Sequence, residues 1–248
     1  MTQPMSPLQN HDGASLIELL IALATGLVVM SAVFETLSAL DRRFRSQQTA
    51  MAATQDIRSG LEVWESEVRM AKGTGLLGGP ALQAMGPASF EFTANLNGLA
   101  TTLKSAALQG QTELNVDDAR DWPSGKYVVL CSKMRCIDNR LARDGQRNRI
   151  VLAQPLTDAF PAGTDISVLN RVRYYVLPNQ AGTVRLMRMV DGGANALIGN
   201  LKAARFSYFA RSGAPAIDSA SVALVRIEAE SAATHLSVTK DIAIRSQL

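Results

Sequence analysis

A long apolar segment near the N-terminus constrains this chain more than any other feature. It runs from Leu16 to Leu40 and contains only two formal charges, Glu18 and Glu35. Its length fits one bilayer crossing by a helix, which needs about 20 residues. A carboxylate in such a segment costs about 2.5 kcal/mol or more on insertion scales. Glu18, five residues past Gly13, therefore predicts a partner for its charge.

A secretory signal peptide is the ordinary alternative for this segment. Such a peptide has a basic n-region, a short apolar region and a small-x-small cleavage site. Here residues 1–13 carry Asp12 and no Lys or Arg, the apolar run is long, and Glu18 lies near its start. These departures favour a different kind of N-terminal segment.

One continuous helix is predicted from Ser15 to about Lys72. No proline interrupts this stretch, and only Gly26 and Gly60 strongly weaken its helix propensity. An apolar stripe recurs at spacings of three and four residues: Ile57, Leu61, Trp64, Val68 and Ala71. The polar residues between them are expected to form a solvated face: Asp56, Arg58, Glu62, Glu65, Glu67 and Arg69. The stripe is too short to favour a coiled coil, so packing on the protein's own sheet is expected.

From Ser89 onward the hydrophobic pattern alternates, with Gly, Pro, Asn and Asp at the turns. A first group of strands is predicted at 89–93, 112–116, 126–132, 148–153 and 165–169. A second group is predicted at 171–177, 183–190, 202–210, 222–230 and 235–245, with Val225, Ile227, Ile242 and Ile244 facing a core. Region 99–170 is expected to form a small, mostly antiparallel β module. Region 171–248 is expected to form the main antiparallel sheet, with one wet face and the helix stripe against the other.

The composition argues against several classes of function. The net charge of +3 and the 5% aromatic content indicate neither an electrostatic nor a stacking surface for nucleic acid. Two cysteines and two histidines leave little for a zinc site or a histidine-based triad. No Gly-rich phosphate loop and no nucleophile elbow occurs in the sequence. We therefore expect no enzymatic activity, no cofactor, no metal site and no nucleic-acid partner.

Cys131 and Cys136 are a candidate disulfide, provided that this part of the chain lies outside the inner membrane. The bridge would close a short loop, for which the chain-entropy estimate is only about 2 kcal/mol. Two reduced thiols are the alternative. The spacing does not match the C-x-x-C redox motif.

An acidic cluster and a lone histidine are the other candidate ligands. Asp117, Asp118 and Asp121 precede Trp122, and hard cations such as calcium take carboxylates. The cluster lacks the alternating ligands of a calcium loop, so solvated turn residues are the preferred interpretation. His235 precedes a predicted strand and is expected on the surface.

Four arginines belong to the predicted hairpin of 171–177 and 183–190. Arg171, Arg173, Arg185 and Arg188 are expected to share one face of this hairpin, at least in part. Such a face is either solvated or a binding surface for a partner. The sequence leaves both interpretations open.

The N-terminal segment resembles the signature of type IV prepilins and type II secretion pseudopilins. The resemblance is carried by Gly13 and the run Ser15-Leu16-Ile17-Glu18-Leu19-Leu20-Ile21-Ala22-Leu23. In that family a dedicated peptidase cuts after the glycine, the new N-terminus is N-methylated, and the fifth mature residue is glutamate. The resemblance implies cleavage between Gly13 and Ala14 and methylation of Ala14. It also implies that Glu18 pairs with the N-terminal amine of a neighbouring subunit.

The remainder of the chain resembles PilW-like minor pilins and, more distantly, the J-type pseudopilin. The similar stretches are Asp56-Ile-Arg-Ser-Gly-Leu with the following Glu67-Val-Arg-Met-Ala, Arg173-Tyr-Tyr-Val-Leu, Val184-Arg-Leu-Met-Arg-Met, Leu201-Lys-Ala-Ala-Arg-Phe-Ser-Tyr and Val225-Arg-Ile. The resemblance implies the type IV pilin fold, an α+β fold with a long N-terminal helix packed on an antiparallel sheet and an additional small β module. Its implied parts are a leader (1–13), a transmembrane and filament-core half-helix (14–40), an amphipathic half-helix (41–72) and a β-rich region (73–248).

The implied function is that of a minor pilin that initiates or caps a type IV pilus. The implied partners are other minor pilins or pseudopilins, the major pilin, the prepilin peptidase/methyltransferase and the inner membrane, with the C-terminal region in the periplasm of a Gram-negative cell. A J-type pseudopilin at the tip of a pseudopilus is the first alternative. A membrane-tethered β-domain that binds a ligand outside any filament is the second. A soluble periplasmic enzyme is the third, and it predicts cleavage near Ser38 or Ala39.

Overall fold

The helix α1 runs from Leu16 to Arg69. The computed structural model describes residues 15–71, 80–132, 135–179, 182–234 and 236–244. The chain divides into two compact units, 1–50 and 51–248, and α1 begins in the first and ends in the second. The predicted helix is confirmed to within three residues at its C-terminal end.

The second unit is rich in antiparallel strands. Their bounds are β1 (Leu82–Met85), β2 (Ser89–Ala94), β3 (Ala100–Thr102), β4 (Glu113–Asn115), β5 (Tyr127–Ser132), β6 (Arg135–Arg140), β7 (Arg149–Val151), β8 (Asp165–Pro178), β9 (Val184–Val190), β10 (Gly193–Phe209), β11 (Leu224–Ser231) and β12 (Ser237–Ala243). Among the described residues, ten strands form one sheet. Seven follow the order β1-β2-β8-β9-β10-β11-β12, β3 and β5 pair with β8, and β6 pairs with β5. The strands β4 and β7 form a separate two-stranded ladder.

The apolar stripe of α1 packs on this sheet. Ile57, Leu61, Trp64, Val68 and Ala71 are all buried, which confirms the predicted stripe. Phe90, Tyr174 and Phe206 lie in the same core, and the rings of Phe90 and Phe206 meet edge to face with centroids 4.8 Å apart. Val225, Ile227, Ile242 and Ile244 are buried as expected. The fold is therefore α+β, with one long helix packed against a mostly antiparallel sheet.

Gly60 permits the closest approach between the helix and the sheet. A Cβ at this position would lie 2.3 Å from Cγ1 of Ile198 and 3.1 Å from the carbonyl oxygen of Leu197. A glycine inside a helix costs about 1 kcal/mol relative to alanine. Here that cost is offset because α1 and the first half of β10 can pack in contact.

A second hydrophobic core is formed by residues of the segment that runs from β3 to the first half of β8. It contains Trp122, Leu130, Ile150 and Phe160, all at most 2% exposed. The strands β5 and β6 are adjacent here, and Cys131 is directly opposite Cys136 in their register. The two cysteines form a disulfide in the structure.

The predicted strands differ from the observed ones where local propensity is weak. The strands expected at 165–169 and 171–177 are one strand, β8, because the intervening Asn170 is buried and pairs with Ala94 of β2. The strand β10 begins at Gly193 and not near residue 202, because pairing with β9 extends it through a stretch rich in Gly, Ala and Asn. The strands β1, β3 and β6 were not expected from the sequence.

Candidate functional site

The first half of α1 is an apolar surface that the described part of the chain leaves uncovered. Leu16 is 79% exposed, Val28 is 68% exposed and Phe34 is 66% exposed. Within the described residues, α1 is the helix whose length and composition would allow it to cross a membrane. Burying an apolar side chain of this kind contributes about 1.5–3 kcal/mol, so such a surface requires a lipid or protein environment.

Three hydroxyl groups in this half of the helix, those of Thr25, Ser31 and Thr36, donate hydrogen bonds to carbonyl oxygens of the helix itself. Thr25 donates to the carbonyl oxygen of Ile21 at 2.8 Å, and Thr36 donates to that of Ala32 at 2.8 Å. Such bonds let a polar side chain sit in an apolar medium without a free donor.

The side chain of Glu18, unlike these hydroxyl groups, has no hydrogen-bond partner in the helix. Its carboxylate is exposed, and it has neither an ion pair nor a side-chain hydrogen bond with the rest of the described chain. Its position in the first turn places it near the positive end of the helix dipole, which contributes at most about 1 kcal/mol at an exposed site. That is less than the cost of a carboxylate in hydrocarbon. Gly13 and Ala14, the expected cleavage and methylation residues, lie outside the described residues.

The second half of α1 carries a buried carboxylate, Glu67, which was wrongly assigned to the solvated face. Its side chain is 8% exposed, and it accepts hydrogen bonds from Tyr174 Oη at 2.6 Å and Arg188 Nε at 2.9 Å. A terminal nitrogen of Arg188 completes a two-pronged ion pair with the same carboxylate. The sequence contained a usable signal, because Glu67 follows Trp64 by three residues and so lies beside the apolar stripe.

Electrostatics in this cluster favour the protonated states of Tyr174 and Arg188. Burial, followed by the charge and hydrogen bond of Glu67, raises the pKa of Tyr174 well above its usual range. The hydrogen bond to Glu67 raises the pKa of Arg188. The tyrosine therefore remains a donor and the arginine a cation. Both Glu67 oxygens are occupied, so the cluster connects α1 to β8 and β9 and holds no open position for a substrate or metal.

Two members of the acidic cluster, Asp117 and Asp118, are engaged in contacts with neighbouring residues. Asp118 pairs with Arg120 and also accepts a hydrogen bond from the backbone N–H of Arg120 at 3.0 Å, which lowers the pKa of Asp118 to about 2. Asp117 accepts a hydrogen bond from the hydroxyl of Thr102. Throughout the described ranges, no group of three or more His, Cys, Asp or Glu residues is placed to hold a metal ion. His235 lies outside those ranges.

Three of the four hairpin arginines share one face, so the prediction of a face shared in part is confirmed. Arg188 points into the core toward Glu67, while Arg171, Arg173 and Arg185 lie on the opposite side of β8 and β9. Arg171 pairs with Glu91 at 2.9 Å. The guanidinium of Arg173 lies over the ring of Tyr175, with its carbon 5.5 Å from the ring centroid.

Comparisons with known proteins identify no relative. The chain matches no protein-family model, no curated protein and no solved structure. Its function must therefore be inferred from its own residues and their geometry.

Proposed function

We propose that this chain is a minor pilin that initiates or caps a type IV pilus. It would be made as a prepilin, cut between Gly13 and Ala14 and methylated at Ala14. The apolar half of α1 would hold it in the inner membrane, with the C-terminal region in the periplasm, until it joins the filament. The type IV pilin fold is part of this proposal, and the long helix on an antiparallel sheet supports it.

The observation that carries the proposal is the carboxylate of Glu18. It lies in the first turn of an exposed apolar helix, and no described residue of the chain neutralises it. In a low-dielectric environment, a cation brought by a neighbouring subunit would offset the cost of burying this charge. A newly cut N-terminal amine near Ala14 is such a cation, and the pairing would fix the register of packed helices.

The experiment compares Glu18→Ala with Glu35→Ala. Both substitutions remove one carboxylate from the same apolar half of α1, so general effects on membrane insertion are matched. The full chain is expressed with its partner pilins and the prepilin peptidase, and filaments sheared from the cells are tested for the protein. Glu18→Ala is expected to abolish incorporation, whereas Glu35→Ala is expected to retain it.

The mass of the N-terminal peptide provides an independent measurement. A species beginning at N-methyl-Ala14 supports the proposal, whereas an intact leader or a cut near Ser38 argues against it. Normal incorporation of Glu18→Ala would refute the assigned role of this carboxylate. A processed protein whose loss blocks secretion but not pilus formation would identify a pseudopilin instead.

A further inference from the structure

The outward side of the β8–β9 hairpin combines apolar and basic side chains in one patch. Three pairs of residues lie directly opposite each other across the two strands: Arg173 with Met189, Tyr175 with Met187, and Leu177 with Arg185. Side chains opposite each other in such a pair lie on the same face, with Cβ atoms about 5 Å apart. These six residues are called here the hairpin face. Ala194 and Ala196 of β10 lie opposite the two methionines and are exposed. Their side chains are short, so they do not cover the methionines on that side of the patch.

The arginines of this face lack carboxylate partners, unlike their counterparts on β10 and β11. Arg205 pairs with Glu228, and Arg226 pairs with Asp241 at 2.7 Å. By contrast, Arg173 and Arg185 form no ion pair with any residue of the described chain. The hairpin face therefore carries positive charge without a paired carboxylate. On β10 and β11, by contrast, acids on the adjacent strands neutralise the arginines.

Neighbouring residues add to this positive field. Arg171 is the next outward residue of β8, and it occupies the carboxylate of Glu91, the acid opposite Arg173. The three outward arginines less Glu91 give the patch a net charge of +2. Nε of Arg185 is buried and has no acceptor within the described ranges, so its stem is packed in place. A packed arginine loses less conformational freedom when a partner binds it.

The middle of the patch is apolar and partly exposed. Tyr175, Met187 and Met189 are not among the residues packed on the helix-facing core, and Leu177 is 37% exposed. Aromatic residues, methionine and arginine are the residue types enriched at protein interfaces. Methionine also adapts its shape to different apolar partners.

We propose that the hairpin face docks an acidic surface of another protein. Carboxylates of the partner would pair with Arg173 and Arg185, and an apolar side chain of the partner would rest on Met187, Met189 and Tyr175. Charge complementarity favours this occupant, because a wholly apolar partner would leave both arginines unpaired. The apolar centre favours a protein over a simple polyanion. This inference does not depend on the proposed role in a pilus.

The test uses the purified full chain in detergent micelles and a fluorescein-labelled peptide in which glutamate and leucine alternate. Binding is measured by fluorescence anisotropy. The double variant Arg173→Gln/Arg185→Gln is expected to bind at least about tenfold more weakly. Its matched control, Arg205→Gln/Arg226→Gln, removes the same two charges from strands where both arginines are already paired, and it should retain affinity. Affinity should also fall as salt concentration rises.

Four results would overturn the proposal. The first is no binding of the peptide, or equal loss of binding in both double variants. The second is equal binding of a peptide with serine in place of leucine, which would reduce the patch to a charge effect. The third is tighter binding of single-stranded DNA that also requires Arg173 and Arg185. The fourth is self-association abolished by the same double variant, which would make a second copy of this chain the occupant. None of these results bears on incorporation through Glu18.

Discussion

Replacing Glu67 with glutamine should destabilise the helix–sheet core far more than its single-atom change suggests. The carboxylate receives a hydrogen bond from Tyr174 Oη at 2.6 Å and a two-pronged ion pair from Arg188. These contacts join the last turns of α1 to β8 and β9. An amide at this position keeps the size of the side chain but removes the charge and one of the two acceptor oxygens.

The magnitude follows from the burial of the two partners. Removing one member of a buried ion pair costs about 3–5 kcal/mol, because the remaining charge is left uncompensated. The side chain of Glu67 is 8% exposed, but that of Arg188 is 26% exposed, so water can recover part of the arginine's solvation. The lower end of the range applies, and the expected loss is about 3 kcal/mol. A domain stable by about 5–15 kcal/mol would lose a substantial share of that stability.

Urea unfolding of the full chain in detergent micelles measures this loss. Trp64 is fully buried in the helix–sheet core, and a Trp122→Phe background removes the tryptophan of the second core, so fluorescence reports on the relevant region alone. The matched control is Glu65→Gln, two residues away on the same helix, where the ion pairs with Arg69 and Lys240 lie at the surface. The control should change stability little, because exposed ion pairs contribute little. Equal losses for the two variants would refute the assignment of Glu67 as a buried connection.

Two further predictions follow from packing and from burial. Gly60→Ala should destabilise the fold by about 1–3 kcal/mol through overpacking, because the new Cβ would lie 2.3 Å from a carbon of Ile198. Gly26→Ala is the control and should not destabilise the fold, because nothing lies within 4 Å of a Cβ at that position. Urea unfolding of both variants measures the difference, and equal stabilities would contradict the overpacking at Gly60. Burial raises the pKa of Tyr208 to about 12, so its contribution to stability is complete below the unfolded-state pKa of 10 and is lost as the pH rises from about 10 to about 12. Tyr208→Phe should therefore show a shallower loss of stability across that range, measured by circular dichroism in urea, and an unchanged slope would contradict the assignment.

The sequence predicted those parts of the fold in which a strong periodic pattern agrees with the tertiary environment. The spacing of Ile57, Leu61 and Trp64 identified the packed side of α1, and all three residues are buried. The sequence was less informative about β10. The first half of this strand, Gly193–Leu201, is held by pairing with β9 and not by its own strand propensity. Short strands such as β3 (Ala100–Thr102) are likewise defined by their neighbours.

Among the candidate sites, only local features could be found from the sequence. The cysteines, five residues apart, are opposite each other across β5 and β6 because only two residues of the sequence separate these adjacent antiparallel strands. The environment of the hairpin arginines depended on a third element, the helix α1, which supplies the carboxylate that pairs with Arg188. Alternation along the strand separates Arg188 from Arg185, but it cannot show which side faces a helix.

The sequence by itself determined the long helix, its apolar first half and the unmatched charge of Glu18, because each is a property of contiguous residues and of the helical repeat. Only the tertiary structure decided that Glu67 is buried and that Arg188 and Tyr174 are its partners, residues 121 and 107 positions away. The position of Glu67 beside the apolar stripe makes burial possible, but the stripe does not show which strand residue supplies the opposite charge. Pairing over such distances is set by how the strands stack on the helix, and that information is not local in the chain.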